Sequence, residues 1–394
     1  MLGIPDKTDN PRKGDGNRKI TQEQFIKIYK TDNPRKGDGN IFVIIKKSPL
    51  GELKTKIHMR GNIMSYVYLT ENNIVVSKKG GRFIVSRNHE TVLELPIETI
   101  EGIIIFETVQ ISSATVVECL EKDIPITWLS NTGKFFGRLE STKHINVQKH
   151  YNQMLLQEEG GAYFELAKRI IKAKIDNQIV LLRRYSRNSK DNTLETDIKN
   201  IYAVRRNVFC ANNVKELMGF EGYIARIYFY ALGKIVPEEF RFKGRSKQPP
   251  KDPFNSMLSF GYTLVMYELY TLLINYGLHP YFGFIHSLRT GHPALASDLI
   301  EEWRAVLVDA MVLSLVQHNE IHLSDFNIAD SGGVFLKNDS RRIFLKAYER
   351  KMRSLNSYIG MKKSFRETLA IQVENFSKAI MTKDLDSYEP LKIR

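Results

Sequence analysis

The chain predicts an α+β protein: a small, mostly-β domain followed by a larger all-α domain. Between residues 64 and 142 the apolar residues come in short β-branched or aromatic runs separated by turn residues. After Ser141 the apolar spacing lengthens to that of helices and stays there. The 394 residues, 42% hydrophobic and 26% charged, are enough to bury the cores of one to three domains.

Composition narrows the class. Only Cys119 and Cys210 occur, far apart, which excludes a Cys-based zinc site and fits a reducing compartment. No apolar run nears the ~20 residues of a membrane span, and the polar N-terminal stretch lacks a signal-peptide core. The expected location is a cytoplasm, without a membrane partner. The net charge of +14 is unevenly spread. Residues 1–63 hold 14 Lys/Arg against 7 Asp/Glu, and the remainder holds 44 against 37. The folded part is therefore only moderately basic, which permits a nucleic-acid partner without requiring one.

Residues 1–63 are predicted to lie outside the fold. The string KTDNPRKGDGN occurs twice without a mismatch, at Lys7–Asn17 and Lys30–Asn40, around the unrelated RKITQEQFIKIY. It has no apolar residue, so it has no face to stack as a structural repeat. One reading is a disordered basic linker. The other works in nucleotides: eleven codons make a 33-nucleotide block and the twelve between make 36. An identical block alternating with a unique block of similar length resembles a CRISPR repeat–spacer array read in frame. On that reading the biological start is Met64.

From Met64, SYVYLT, NIVVSKK, GRFIVSR and TVLELP read as strands, with turns at Glu71-Asn72-Asn73 and Gly80-Gly81. IEGIIIF is a buried strand, residues 112–123 a Ser-capped helix, and IPITWLS and GKFFGRL strands again. Residues 64–142 hold no carboxylate–His cluster and no phosphate loop. From 143 to 394 the expectation is helical: two long runs between His144 and Arg187, a polar break over 188–197, then helices over 212–234, 252–278, 298–318 and 360–382, with a short hairpin leading into a helix within 324–346. Lys168, Arg169, Lys172, Lys174, Arg183, Arg184 and Arg187 of the first runs either track phosphates or form a solvated face.

Three stretches of the helical part carry chemistry. MGFEGYIARIYFYALG, residues 218–233, places Glu221 at a helix start. FKGRSKQPPKDPFNSMLSFGY, residues 242–262, is a basic loop entering a helix that bears Asn255, Ser259 and Tyr262. GFIHSLRTGHPALASDLIEEWR, residues 283–304, sets His286 after an apolar run and opens a helix with Asp298 in its first turn and Glu301 three residues on. Spacing i, i+3 puts both carboxylates on one face, with Leu299, Ile300, Trp303, Val306 and Leu307 buried. Two carboxylates and an imidazole suit a divalent cation. Acidic residues near a helix N-terminus are favoured by the dipole in any case.

The order GxEG, RxxxPPxDPxNxxLSFGY, GLxPxxGFxH, DLxEExR resembles the CRISPR-associated spacer-acquisition integrases, the Cas-one family. The likeness spans about residues 64–385, and GGVFLKNDSRRIFLKAYE fits the family's C-terminal segment. The resemblance implies a metal-dependent DNA endonuclease and strand transferase that inserts short foreign DNA into a CRISPR array by transesterification. It implies magnesium or manganese held by Glu221, His286 and Glu301, with Asp298 as supporting or alternative ligand. Arg245, Lys247, Arg226, Arg289 and Asn255 are the candidate DNA contacts, chosen on charge and nearness in sequence. The implied partners are protospacer and repeat DNA, a second copy of the chain through the 64–142 domain, and a Cas-two dimer bridging two such dimers. Alternatives are a repair or junction-resolving nuclease of the same fold, and a non-catalytic DNA-binding scaffold.

Overall fold

A computed structural model describes residues 29–30, 41–44, 65–187 and 193–393. The β region is built from β1 (Tyr29–Lys30), β2 (Ile41–Ile44), β3 (Ser65–Leu69), β4 (Ile74–Lys79), β5 (Arg82–Arg87), β6 (Glu90–Pro96), β7 (Ile100–Ile105), β8 (Val109–Ile111), helix α1 (Ser113–Glu121), β9 (Ile126–Leu129) and β10 (Phe135–Leu139). They form a six-stranded sheet in the order β1-β2-β3-β7-β9-β10 and a four-stranded sheet in the order β6-β5-β4-β8. Strand β2 pairs in parallel with β3. The two repeat copies and the array reading of residues 1–63 otherwise lie outside the described residues.

The difference between the sheets follows from burial. In β3, Tyr66 and Tyr68 pack on the helical core, while Val67 and Leu69 face the second sheet. Both faces of this strand are covered, so SYVYL reads as an unbroken apolar run. Strands β4 and β5 alternate buried with half-buried positions, the pattern of a sheet covered on one side. Asn88 and His89 both take positive φ between β5 and β6, as a two-residue turn between twisted strands requires. Helix α1 starts where Ser112 Oγ accepts the Thr115 N–H at 3.2 Å.

The rest is mostly helical: α2 (Val147–Glu159), α3 (Gly161–Ser186), α4 (Thr193–Arg205), α5 (Val214–Ile235), α6 (Pro253–Asn275), α7 (Ala294–Leu299), α8 (Ala310–Gln317), α9 (Asn338–Arg353) and α10 (Phe365–Thr382). It is not wholly helical. Strands β11 (Phe326–Ile328) and β12 (Val334–Leu336) form the expected hairpin, and β13 (Leu355–Asn356) with β14 (Lys363–Ser364) forms one the sequence did not announce. The polar break expected over 188–197 gives way to α4 at Thr193, because Leu194, Ile198 and Ile201 make a buried i, i+4, i+7 stripe. Among the described helices, α6 alone is long and apolar enough to cross a membrane, and most of it is buried inside the protein. Asp252 caps it, accepting the Asn255 N–H at 2.8 Å, with Pro253 in the first turn.

A buried polar knot joins the sheet to the helices. Tyr68 donates to Glu349 at 2.6 Å, Tyr348 donates to Glu268 at 2.7 Å, and Arg366 pairs with Glu268 at 2.5 Å and Glu349 at 2.9 Å. Burial alone would raise the Glu349 carboxyl; Arg366 and Arg353 outweigh it and hold the group at about 2.

Candidate metal centre and its cleft

The centre is assembled from four elements. Glu221 lies two turns inside α5, whose cap is Asn213, and not at a helix start as the sequence suggested. Its place inside the helix removes the dipole as an explanation of the residue. His286 ends the apolar stretch before α7. That helix begins at Ala294, so Asp298 sits in its second turn, and Glu301 follows in a 3₁₀ turn. Helix α3 contributes Lys174.

Asp298 is fully buried and serves the 283–286 stretch. Its Oδ2 accepts the N–H groups of Phe284 at 2.5 Å and Ile285 at 2.9 Å, and its Oδ1 accepts that of His286 at 2.9 Å. The same Oδ1 lies 2.7 Å from His286 Nδ1. A carboxylate only accepts, so Nδ1 carries the hydrogen and Nε2 of the neutral ring keeps its lone pair. Close approach needs Gly283: a Cβ there would lie 2.6 Å from both Asp298 Oδ2 and the Ala294 carbonyl carbon.

Glu301 is held on both oxygens. Oε1 accepts Arg304 Nε at 3.1 Å and pairs with its Nη2 at 3.0 Å. Oε2 lies 2.6 Å from Lys174 Nζ, and His286 Nε2 is 3.9 Å from Oε1. Burial works to raise the Glu301 carboxyl, but Arg304, Lys174 and His286 outweigh it and hold it at about 2. Lys174 also bonds Glu221 Oε1, so its ammonium bridges the two carboxylates. Burial alone would lower its pKa; Glu221 and Glu301 reverse that and raise it. Among the described residues, no three His, Cys, Asp or Glu side chains stand close enough to hold one ion. Lys174 occupies the space between the two acids.

These groups line a cleft of about 740 Å³ whose wall is cationic. Arg226, Lys243, Arg245, Lys247 and Arg304 all reach it. The guanidiniums of Arg304 and Arg245 lie 4.5 Å and 5.4 Å from the Tyr262 ring centroid. Tyr262 and Tyr228 both donate to buried Asp309. Burial lifts Asp309 to about 6 against the pull of these donors and the arginines. The backbone from Arg304 to Asp309 is π-helical, a widened turn of the kind frequent at functional sites.

The predicted Glu221, His286 and Glu301 thus share one cleft, with Asp298 behind the imidazole. Arg226, Arg245 and Lys247 line it. Arg289 is exposed on the loop beyond His286 and is not among the lining residues. Asn255 is not at the surface at all. It is fully buried, with its carbonyl on Arg245 at 2.8 Å and its amide on Gly244 O at 2.9 Å and Asp252 at 2.7 Å. Ser259 takes the other Arg245 nitrogen at 2.9 Å. Asn255 therefore aims Arg245 and has no free group to offer DNA. Lys174 fits neither sequence reading, since its ammonium is buried and engaged by Glu221 and Glu301. Arg304 and Tyr262 lie within the 283–304 and 242–262 stretches, where the sequence alone gives them no role in the site. Ile171, Lys174, Ile175, Gln178 and Leu182 share the buried side of α3, and a lysine in that stripe was the available signal.

The profile of the family described as CRISPR associated protein Cas1 matches residues 67–350. The chain belongs to the Cas1 family. Its relatives include the CRISPR-associated endonuclease Cas1 3 of Thermus thermophilus, 34% identical over 338 residues, which is 85% of this chain and 99% of that protein. A casposase bound to integration product shares the fold at a TM-score of 0.73, with 22% identity, over 83% of this chain and 94% of that one. A chain of the Cas6-RT-Cas1–Cas2 complex matches at a TM-score of 0.74 and 23% identity, over 88% of this Cas1 chain but only 38% of that longer one.

Proposed function

We propose that this Cas1 protein is the integrase of CRISPR adaptation, a divalent-metal enzyme that cuts DNA and joins spacer ends to the repeat. The observation that carries this reading is the convergence of Glu221, His286 and Glu301 in one cation-walled cleft. The donor set fits magnesium or manganese: two carboxylates already gathered around a cation, and an imidazole with its Nε2 lone pair on the Glu301 side. When bound, the ion polarises the scissile phosphate and stabilises the leaving oxygen.

The chain's own residues do the rest. Asp298 fixes the imidazole tautomer and ring plane. Arg304 sets the Glu301 carboxylate, and its charge on the cleft wall attracts the phosphodiester. Arg245, aimed by Asn255 and Ser259, adds a second guanidinium, and Arg226, Lys243 and Lys247 hold the flanking backbone without reading sequence. A DNA 3′-hydroxyl oxygen bonds to phosphorus as the bond to the repeat's bridging 3′-oxygen breaks. One phosphodiester replaces another, so no energy-rich cofactor is consumed. With water in place of the hydroxyl, the same site hydrolyses DNA.

The β region is the dimer platform, and a Cas2 dimer joins two Cas1 dimers so that both spacer ends reach the repeat. The site of action is the prokaryotic cytoplasm. The test is strand transfer of a short duplex into a repeat-bearing plasmid with the Cas2 partner present. Joining that requires manganese and fails in chelator supports the reading. Plasmid cutting without joining moves the assignment to a repair or junction nuclease, and DNA binding with neither cutting nor joining, with or without metal, moves it to a DNA-binding scaffold.

A further inference from the structure

One group stands between the donor set and a filled metal site: the ammonium of Lys174. It is hydrogen-bonded to Glu221 Oε1 and lies 2.6 Å from Glu301 Oε2, so three elements, α3, α5 and the turn after α7, meet on one nitrogen. Lys174 is only 8% exposed. Two buried carboxylates that face each other repel unless a cation lies between them. Arg304 is committed to the other oxygen of Glu301. The two acids are therefore gathered by a monovalent cation that the chain itself supplies.

We propose that Lys174 is the resident counter-cation of the metal-free site, and that a divalent ion enters by displacing its ammonium from between Glu221 and Glu301. This rests on the reading of those two acids and His286 as ligands. Nζ stands between Glu221 Oε1 and Glu301 Oε2, so an ion that draws ligands from both acids enters the space the ammonium fills, and the two occupants compete. The lysine keeps the ligands assembled while no metal is present. It also weakens metal binding by the fraction of molecules in which the ammonium is in place. No covalent step is involved; one cation replaces another, and the displaced ammonium stays on the cleft wall.

The test follows the lysine directly. Full-length protein, with chelator or with saturating manganese, is treated with a limiting amount of an acetylating ester, and modification of Lys174 is read by peptide mass spectrometry. Free manganese is followed in parallel by electron paramagnetic resonance. Lys174 should react slowly in chelator and several-fold faster when manganese is bound. The Lys174→Met variant should bind manganese about tenfold more tightly or better, because it removes the competitor for the ligands. In chelator it should also melt at a lower temperature than the wild type, and manganese should close the gap. Manganese binding with the Lys174 reaction rate unchanged overturns the displacement while leaving the metal site standing. Manganese binding by neither protein overturns both. Binding by the variant but not the wild type also overturns the displacement, because the ammonium then blocks the site instead of yielding it.

Discussion

Asp298 Oδ1 lies 2.7 Å from His286 Nδ1 and 2.9 Å from the His286 backbone nitrogen, so one buried carboxylate oxygen fixes both the ring and the chain that carries it. Asp298→Asn removes the charge that selects the Nδ1–H tautomer while nearly keeping the shape. Manganese affinity should fall about 10- to 100-fold, the usual cost of losing such a partner. Asp298→Ala should also destabilise the fold by about 2–5 kcal/mol, since three backbone N–H groups lose their acceptor. Calorimetric titration and thermal unfolding separate the two effects, and equal manganese affinity in wild type and Asp298→Asn would count against the orienting role.

Arg245 and Asn255 should behave as one unit. Arg245→Ala and Asn255→Ala are each expected to weaken duplex binding, and the double variant to be little worse than Arg245→Ala. The coupling should amount to about 0.5–3 kcal/mol, as for residues in one hydrogen-bond network. Fluorescence anisotropy over a salt series measures it. Additive losses would mean that Asn255 acts on something other than the guanidinium.

Tyr262 presents a ring to two arginines and a hydroxyl to Asp309. Tyr262→Phe keeps the ring, so DNA affinity should change less than twofold. Tyr262→Leu removes the ring. It should weaken DNA binding by about 0.5–2 kcal/mol through the lost cation–π contacts, and lower the melting temperature. Equal DNA affinity in the two variants would remove the ring from the account.

Acid should loosen the junction between the sheet and the helices. Glu349 titrates at about 2 in the fold against an ordinary 4.5. The folded value is the lower one, so its contribution is complete above the ordinary value and is lost as pH falls from there toward 2. The contribution is roughly 3 kcal/mol. Urea unfolding at a series of pH values should show stability falling through this window, and Glu349→Gln should flatten the slope there while costing stability at neutral pH. An unchanged slope in the variant would place the acid sensitivity elsewhere.

Much of this arrangement was legible, for physical reasons. Burial imposes apolar spacing, so α5, α6 and strands β3, β7, β9 and β10 of the first sheet are read directly, whereas β1 and β2 lie in the 1–63 stretch expected outside the fold. The four strings around Glu221, Arg245, His286 and Glu301 carried the cleft, because positions such as Gly283 tolerate no other side chain. Charge misled where burial decides the role. Asn255 sits in the first turn after the Asp252 cap and is bonded to it, so the polar side chain that suggests a DNA contact is instead spent inside the protein. Lys174 was grouped with Arg169 and Lys172 as one basic helix face. Arg169 instead ties down the carbonyls of Leu385 and Tyr388, Lys172 pairs with Asp176, and Lys174 points between the two acids of the cleft. A run of cations along a helix does not say which of them face water.

The most direct test of the central claim is anomalous diffraction from crystals of the protein soaked in manganese. The account predicts one strong peak bounded by Glu221, His286 Nε2 and Glu301, with the Lys174 ammonium moved off both carboxylates. A peak at a different set of ligands, or none in crystals whose cleft is open to solvent, would contradict it.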